Sequence, residues 1–590
     1  MKTFKTYFSI SIIFTALLCS FAASLPAYAY TMAITWPINR AVMQRNTNNK
    51  ANIYFAGQFF NDPTSETDPC PAFSFYYKVE RLKLSDGSYQ MDQIDWTPFY
   101  LYNTSAGLFG NTISNLDAGW YDLKVMATSG GVGGAMFAFA TIRFGVGDVF
   151  IIAGQSNAQS KGFKDGFDKN TYLTSDAYDC VSVHNFNGAC QKTIWSYPNM
   201  VKLIPQIEPS LFRVGPSGFN SLCWAPLGKE IADNQQVPTA FFNTAIGGTS
   251  VLNWEEGAKG LLTQFAGNYG CFHYGTSMAD AVGQPYLTLK NALKFYAKIF
   301  GIKAVLWHQG EADTQAGTSA ANYQSRLQYV INKSRTDFGS QNLTWYVSRA
   351  SLTNGATSAN VISGQNNLIN ADPNVHPGPQ TDGINVRQDG THIYMSGLTQ
   401  HATLWRTAIY ATPSTLFSAA VAPTSNFIMN SPGYSLQTVA GYSEYRWNDF
   451  SAPAASHITT GDGFCYVKDV NGNWYLSPKY LRTGFCGLVP EASPNESSLI
   501  GSSEDQYLLK VSPNPSQPGQ ANITFRINQA GNVRVSILDE TGHTIDHIAD
   551  GRYNAGNFEY RIQKRLRPGT YFCHLQVEMV GITRRFFVAE

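Results

Sequence analysis

Along the first part of the chain the apolar positions come in short runs, such as Ala51-Asn52-Ile53-Tyr54-Phe55, Phe73 to Val79 and Trp120 to Met126. Glycine, asparagine, aspartate and proline separate them. That spacing predicts an antiparallel β-sandwich over residues 30–146. From Gly147 the pattern changes. Val149-Phe150-Ile151-Ile152-Ala153 is apolar without alternation, as a strand buried on both faces requires. Helices are then predicted over Ala225 to Asn234, Tyr286 to Phe300, Ala320 to Arg335 and Gly397 to Tyr410, with strands over Thr239 to Phe242, Lys303 to Trp307 and Leu343 to Val347. Alternating strands and helices imply a parallel sheet with helices on both faces over residues 147–412. Sites in such sheets form beyond the carboxyl ends of the strands. Pro413 to Pro423 reads as a linker, residues 424–490 as a small β module, Glu491 to Asp505 as a polar connection and residues 507–590 as a final β segment. The expected fold class is therefore multidomain, with an α/β domain flanked by β-sandwich modules.

Composition adds constraints. The 590 residues carry 42 basic and 41 acidic side chains, a formal charge of +1, which gives no long-range attraction for phosphate backbones and argues against nucleic acid as a partner. Charged and aromatic residues are each 14% of the chain, the opposite of a disordered composition. Lys2 and Lys5 precede an apolar run from Tyr7 to Ala23, followed by Ala27-Tyr28-Ala29. This reads as a signal peptide over residues 1–29, making the protein secreted or cell-surface attached. No later stretch reaches the ~18 apolar residues of a membrane span. Eight cysteines remain after removal of the signal; in an exported protein Cys180–Cys190 and Cys465–Cys486 are the local candidates for pairing. None of them has metal-ligand spacing, and no metal or organic cofactor is expected.

The candidate chemistry lies in loops that follow predicted strands. Gly154-Gln155-Ser156-Asn157 follows the first, Ala245-Ile246-Gly247-Gly248-Thr249 the second, and His308-Gln309-Gly310-Glu311 the third; Arg387-Gln388-Asp389-Gly390-Thr391-His392 precedes the last helix. A serine hydroxyl needs a base to become a nucleophile. His392 is the candidate base for Ser156, and Asp389, three residues upstream, can orient the same ring. Donors for the oxyanion of a tetrahedral intermediate are expected from the Ser156 backbone N–H, from Gly247 or Gly248, and from the Gln309 amide.

Gly-Gln-Ser-Asn, Gly-Gly-Thr followed by Trp254, Trp-His-Gln-Gly-Glu and Arg-x-Asp-Gly-x-His together resemble the sialate O-acetylesterase-like branch of the SGNH hydrolases, which includes acetylxylan esterases. The resemblance covers about residues 147–410. It implies a flavodoxin-like three-layer α/β/α fold, acetylated poly- or oligosaccharide as substrate, and catalysis by Ser156, Asp389 and His392. Gln155, Asn157, His308, Glu311, Arg387 and Trp254 become candidates for binding substrate or supporting the triad. The tail, with Val511-Ser512-Pro513-Asn514-Pro515, Val533 to Asp539 and Leu566-Arg567-Pro568-Gly569-Thr570-Tyr571-Phe572, resembles the C-terminal sorting domain of type IX secretion and implies the secretion machinery as a partner. Other expectations are a pocket-shaping role for the long stretch 157–223, a rigid loop at His376, and either a core or a sugar-stacking role for Trp447 and Trp474. A glycan-binding protein without turnover, and a lipase or thioesterase, are the alternatives.

Overall fold

The structure, a computed structural model, describes residues 30–61, 73–103, 107–129, 131–134, 136–159, 178–185, 198–203, 214–218, 221–265, 268–269, 281–411, 428–430, 435–437, 441–447, 456–458, 463–481, 507–514, 516–528, 530–539, 544–577 and 580–589. The signal segment, the linker 413–423, the polar stretch 491–505, most of the long stretch 157–223, and Cys70, Cys190, Cys271 and Cys486 lie outside these residues.

One strand organises the molecule. Met136–Gly154 runs for 19 residues and is buried from Ala138 to its end. Its first half pairs antiparallel with Gly119–Thr128, and Phe144 to Gly147 pair in parallel with Ala41–Gln44. Its second half lies between Thr239–Asn243 and Ala304–His308, parallel to both. Trp345–Arg349 and Val375–Gln380 extend the parallel sheet on one side, and Val181–His184 extends it on the other. The change of pattern at Gly147 thus marks no break in the backbone: the same strand serves the N-terminal sheet before it and the parallel sheet after it.

The helices Trp224–Gln235 and Ser396–Ala411 pack together, and Val251–Ala258, Tyr286–Ala292, Ala320–Phe338 and Ala359–Ala371 form a second group. The longest, Ala320–Phe338, starts where the Ser319 side chain accepts from Asn322 N–H and stops at Gly339 in the left-handed region. Ala359–Ala371 carries Val361, Ile362, Leu368 and Ile369 on either side of Gly364 and a polar stretch, and is not among the predicted helices. It is held by close approach: a Cβ at Gly364 would sit 2.8 Å from both Ala320 O and Tyr323 Cβ. His376 lies in the edge strand Val375–Gln380 rather than in a loop. Two prolines hide that strand from pattern reading, and an edge tolerates them because one side needs no N–H donors.

Two buried acids of the parallel-sheet domain are gripped from the N-terminal module. Asp148 accepts from Arg45 Nε at 2.8 Å and Nη2 at 2.9 Å, and from the Tyr410 hydroxyl at 2.6 Å. Asp179 accepts from Trp120 Nε1 and Arg143 Nη1, each at 2.8 Å, and from Arg40 Nη2 at 3.1 Å. Arg143 also forks onto Asp122 at 2.8 and 2.9 Å. Burial alone would raise the Asp122 pKa, but Arg143 outweighs it and holds the carboxyl at about 2. A carboxylate held below its unfolded value of ~3.9 stabilises the fold fully above that pH and loses the contribution as pH falls through the folded value. The thermal midpoint is therefore expected to drop between about pH 4 and about pH 2; a midpoint that stays level across that window would show that the Asp122–Arg143 pair contributes little to folding.

The other modules also pack on this body. Phe295 meets Tyr466 at 5.5 Å and Trp474 at 5.3 Å between ring centroids. Trp447 and Trp474 are buried, which places both in the core and leaves neither ring a face for sugar. The strand Val580–Val588 pairs antiparallel with Tyr30–Trp36 at Met32 and Ala33, joining the C-terminal and N-terminal strands in one eight-stranded sheet. Cys180 and Cys465 are free, buried thiols. Burial of the apolar sulfur accounts for both; their expected partners, Cys190 and Cys486, lie outside the described residues. Among the described residues no helix is long and apolar enough to cross a membrane, and no group of His, Cys, Asp or Glu side chains could hold a metal ion.

Candidate active site

The long strand ends at Gly154, whose φ is +128° and whose missing Cβ would lie 2.0 Å from His308 O. Only glycine lets the chain turn there with its neighbour strand so close. Gln155 N–H donates to His308 O at 2.9 Å, and Gln155 O accepts from Ala158 and Gln159 N–H at 2.9 and 2.8 Å. These bonds fold Ser156–Gln159 into a single helical turn. Ser156 thereby stands at the carboxyl edge of the sheet, 8% exposed.

The loop before the last helix brings the other groups to it. His392 Nε2 lies 2.9 Å from Ser156 Oγ, and His392 Nδ1 lies 2.7 Å from Asp389 Oδ2. The other carboxylate oxygen, Asp389 Oδ1, accepts from the backbone N–H groups of Thr391 at 3.0 Å and His392 at 2.8 Å. Burial pushes the Asp389 carboxyl up, yet its bonds to the His392 backbone and ring hold it below the usual carboxylate value. An ionised Asp389 accepts the Nδ1 hydrogen, which leaves the Nε2 lone pair facing the hydroxyl. An alcohol, an imidazole and a carboxylate in this order can pass the serine proton to the ring as the oxygen attacks a carbonyl.

Asn157 ties the loop to the nucleophile turn. Its amide donates to Glu311 Oε1 at 2.7 Å and to Thr391 O at 3.2 Å, while its oxygen accepts from Ile393 N–H at 3.0 Å. Arg387 braces the same loop, donating to Thr391 O, to Thr381 O at 2.7 Å and to Ile384 O at 2.9 Å. Glu311 also accepts from His308 Nε2 at 3.1 Å, and His308 Nδ1 meets His401 Nε2 at 3.2 Å. Burial would raise the Glu311 pKa, but His308 and Asn157 bring it down to about 2. Burial pushes the His401 imidazole well below its ordinary value. His401, on the last helix, is the inner end of this buried chain.

Some expected site residues lie elsewhere. The Gln309 amide is fully buried and donates to Asp313 Oδ2 at 2.5 Å, with Thr249 O and Gln155 Oε1 each at 3.2 Å, while its oxygen accepts from Tyr323. Its two amide hydrogens are already committed. Gly247 N–H is likewise taken, by Gln159 Oε1 at 2.7 Å. Gly248 is exposed, with φ of +77°, and its N–H has no acceptor among the described residues. Trp254 is a core side chain: its Nε1 donates to Thr249 Oγ1 at 2.9 Å and its ring meets Trp307 edge-on at 5.1 Å. It supports the second loop from beneath and does not face substrate.

Residues 146–409 match the family model described as carbohydrate esterase, sialic acid-specific acetylesterase. The esterase match contains Ser156, Asp389 and His392 and the four loops that hold them, and it leaves the flanking β modules outside. Among solved structures, the chain is similar to a carbohydrate acetylesterase from Xanthomonas citri at 12% identity, over 94% of this chain and 97% of that one, with a TM-score of 0.36. It is also similar to a protein from Arabidopsis thaliana at 15% identity, over 45% of this chain and 98% of that one, with a TM-score of 0.31. No curated protein sequence matches the chain.

Proposed function

We propose that the protein is an exported carbohydrate esterase that removes O-acetyl groups from glycans through an acyl-enzyme. The observation that carries this is the run of contacts from Ser156 Oγ to His392 Nε2 at 2.9 Å and from His392 Nδ1 to Asp389 Oδ2 at 2.7 Å. Ser156 Oγ bonds to the acetyl carbonyl carbon as His392 takes its proton. The tetrahedral intermediate collapses when His392 gives that proton to the departing sugar oxygen. Water, deprotonated by the same ring, then attacks the acetyl-serine and releases acetate. The backbone N–H groups of Ser156 and Gly248, neither of which has an acceptor among the described residues, are the proposed donors to the oxyanion. The family match over residues 146–409 supports an acetylated carbohydrate as substrate. Export rests on the segment before Tyr30 and on the tail's resemblance to type IX sorting domains.

Acetate release from a panel of acetylated poly- and oligosaccharides, run beside aryl esters of increasing acyl length, tests this reading. Acetate is expected from at least one glycan, with rates falling as the acyl chain lengthens. A preference for long acyl chains would assign the site to lipid or thioester hydrolysis instead.

A further inference from the structure

We infer that Gln155 supplies a third oxyanion donor through its side-chain amide nitrogen, an assignment that rests on the esterase reading above. Gln155 Oε1 accepts from Ala312 N–H at 3.1 Å, Gly310 N–H at 3.3 Å and Gln309 Nε2 at 3.2 Å. Three donors converging on one atom settle which end of the amide is oxygen. The nitrogen at the other end has no acceptor among the described residues. It is also absent from the fully occluded polar atoms that lack a partner, so it reaches open space although the residue as a whole is 3% exposed.

The place it reaches is defined by its neighbours. Gln155 is covalently next to the nucleophile. Its amide is pinned to the 309–312 loop, and Gln309 Nε2, which touches it, also touches Thr249 O beside Gly248. The amide therefore lies where the nucleophile turn, the Gly248 loop and the Gln309 loop meet. Gln309 is committed to Asp313 and Tyr323; its contribution is to hold Gln155 in plane. In the resting fold that N–H2 is left to solvent, and an acetyl carbonyl oxygen can take the place of water as its acceptor. As that oxygen becomes an alkoxide, the preset N–H dipole stabilises it without reorganisation.

Gln155→Glu in the full chain tests this. The carboxylate keeps an oxygen for Gly310, Ala312 and Gln309 and removes the amide donor. The kcat for an aryl acetate is expected to fall about 10²–10³-fold, with KM within about threefold and the melting midpoint unchanged. Gln155→Met, which has neither donor nor acceptor at similar length, should lose at least as much rate. A Gln155→Glu protein at full rate overturns the assignment, as does a full-rate Gln155→Met if the glutamate protein fails to fold. If wild-type protein releases no acetate from any ester, the esterase reading falls and takes this assignment with it; if wild type turns over and Gln155→Glu matches it, only the role of Gln155 falls.

Discussion

Ser156→Ala is expected to lower acetyl-ester turnover by on the order of 10⁴–10⁶-fold while leaving the protein folded. The two halves of that expectation have separate causes. The Ser156 hydroxyl meets His392 and no other described side chain, so its loss breaks no structural network. The turn that carries it is held by the Gln155 backbone, which the substitution does not touch. The chemistry, in contrast, has no second nucleophile at the carboxyl edge of the strand. Steady-state rates on an aryl acetate, read with a melting curve for each protein, separate the two. A folded Ser156→Ala protein with wild-type turnover would end the serine-esterase reading.

The second large effect is on stability. Asp179→Ala is expected to cost about 3–5 kcal/mol, because it leaves the charge of Arg40 buried without its acid and beside Arg143, which keeps only Asp122. Burial alone would raise the Asp179 pKa, yet Arg40, Arg143 and the Trp120 N–H hold the carboxyl far below the ordinary range. The ion cluster is thus coupled to folding. Chemical denaturation should show an earlier transition, while kcat per folded molecule at low temperature stays near that of wild type, since no atom of the cluster touches Ser156, Asp389 or His392. A transition at the wild-type denaturant concentration would mean that the interface is held by its apolar contacts alone. Ser156→Ala and Asp179→Ala therefore act in opposite ways, one on rate without stability and the other on stability without rate.

Much of the parallel sheet was legible because its signals are local. The apolar run 149–153 reads as a strand buried on both faces, and the helix predicted over Ala320 to Arg335 is observed as Ala320–Phe338. The elements that escaped reading carry their cause in other parts of the chain. Ala359–Ala371 has its apolar residues interrupted by Gly364 and Asn366-Asn367, and its seat is shaped by Ala320 and Tyr323 lying close against Gly364. Val375–Gln380 contains two prolines and is a strand because it lies at a sheet edge.

The sequence alone names Ser156, Asp389 and His392 as a set, because a strand-end serine and a histidine with an aspartate three residues before it are visible as spacing. It also reveals the turn at Gly154 and the switch at Gly147 from one pattern to another. Spacing cannot say where a side chain points once loops from different strands meet. Gln155 and Gln309 are the same residue type beside neighbouring strand ends, and only their partners distinguish them: Asp313 and Tyr323 draw Gln309 inward, while Gly310 and Ala312 take the oxygen of Gln155 and leave its nitrogen open. The union of the N-terminal module with the parallel sheet was likewise decided in three dimensions. Hydrogen bonding along one 19-residue strand, and arginines reaching acids more than a hundred residues away, depend on contacts that no local pattern encodes.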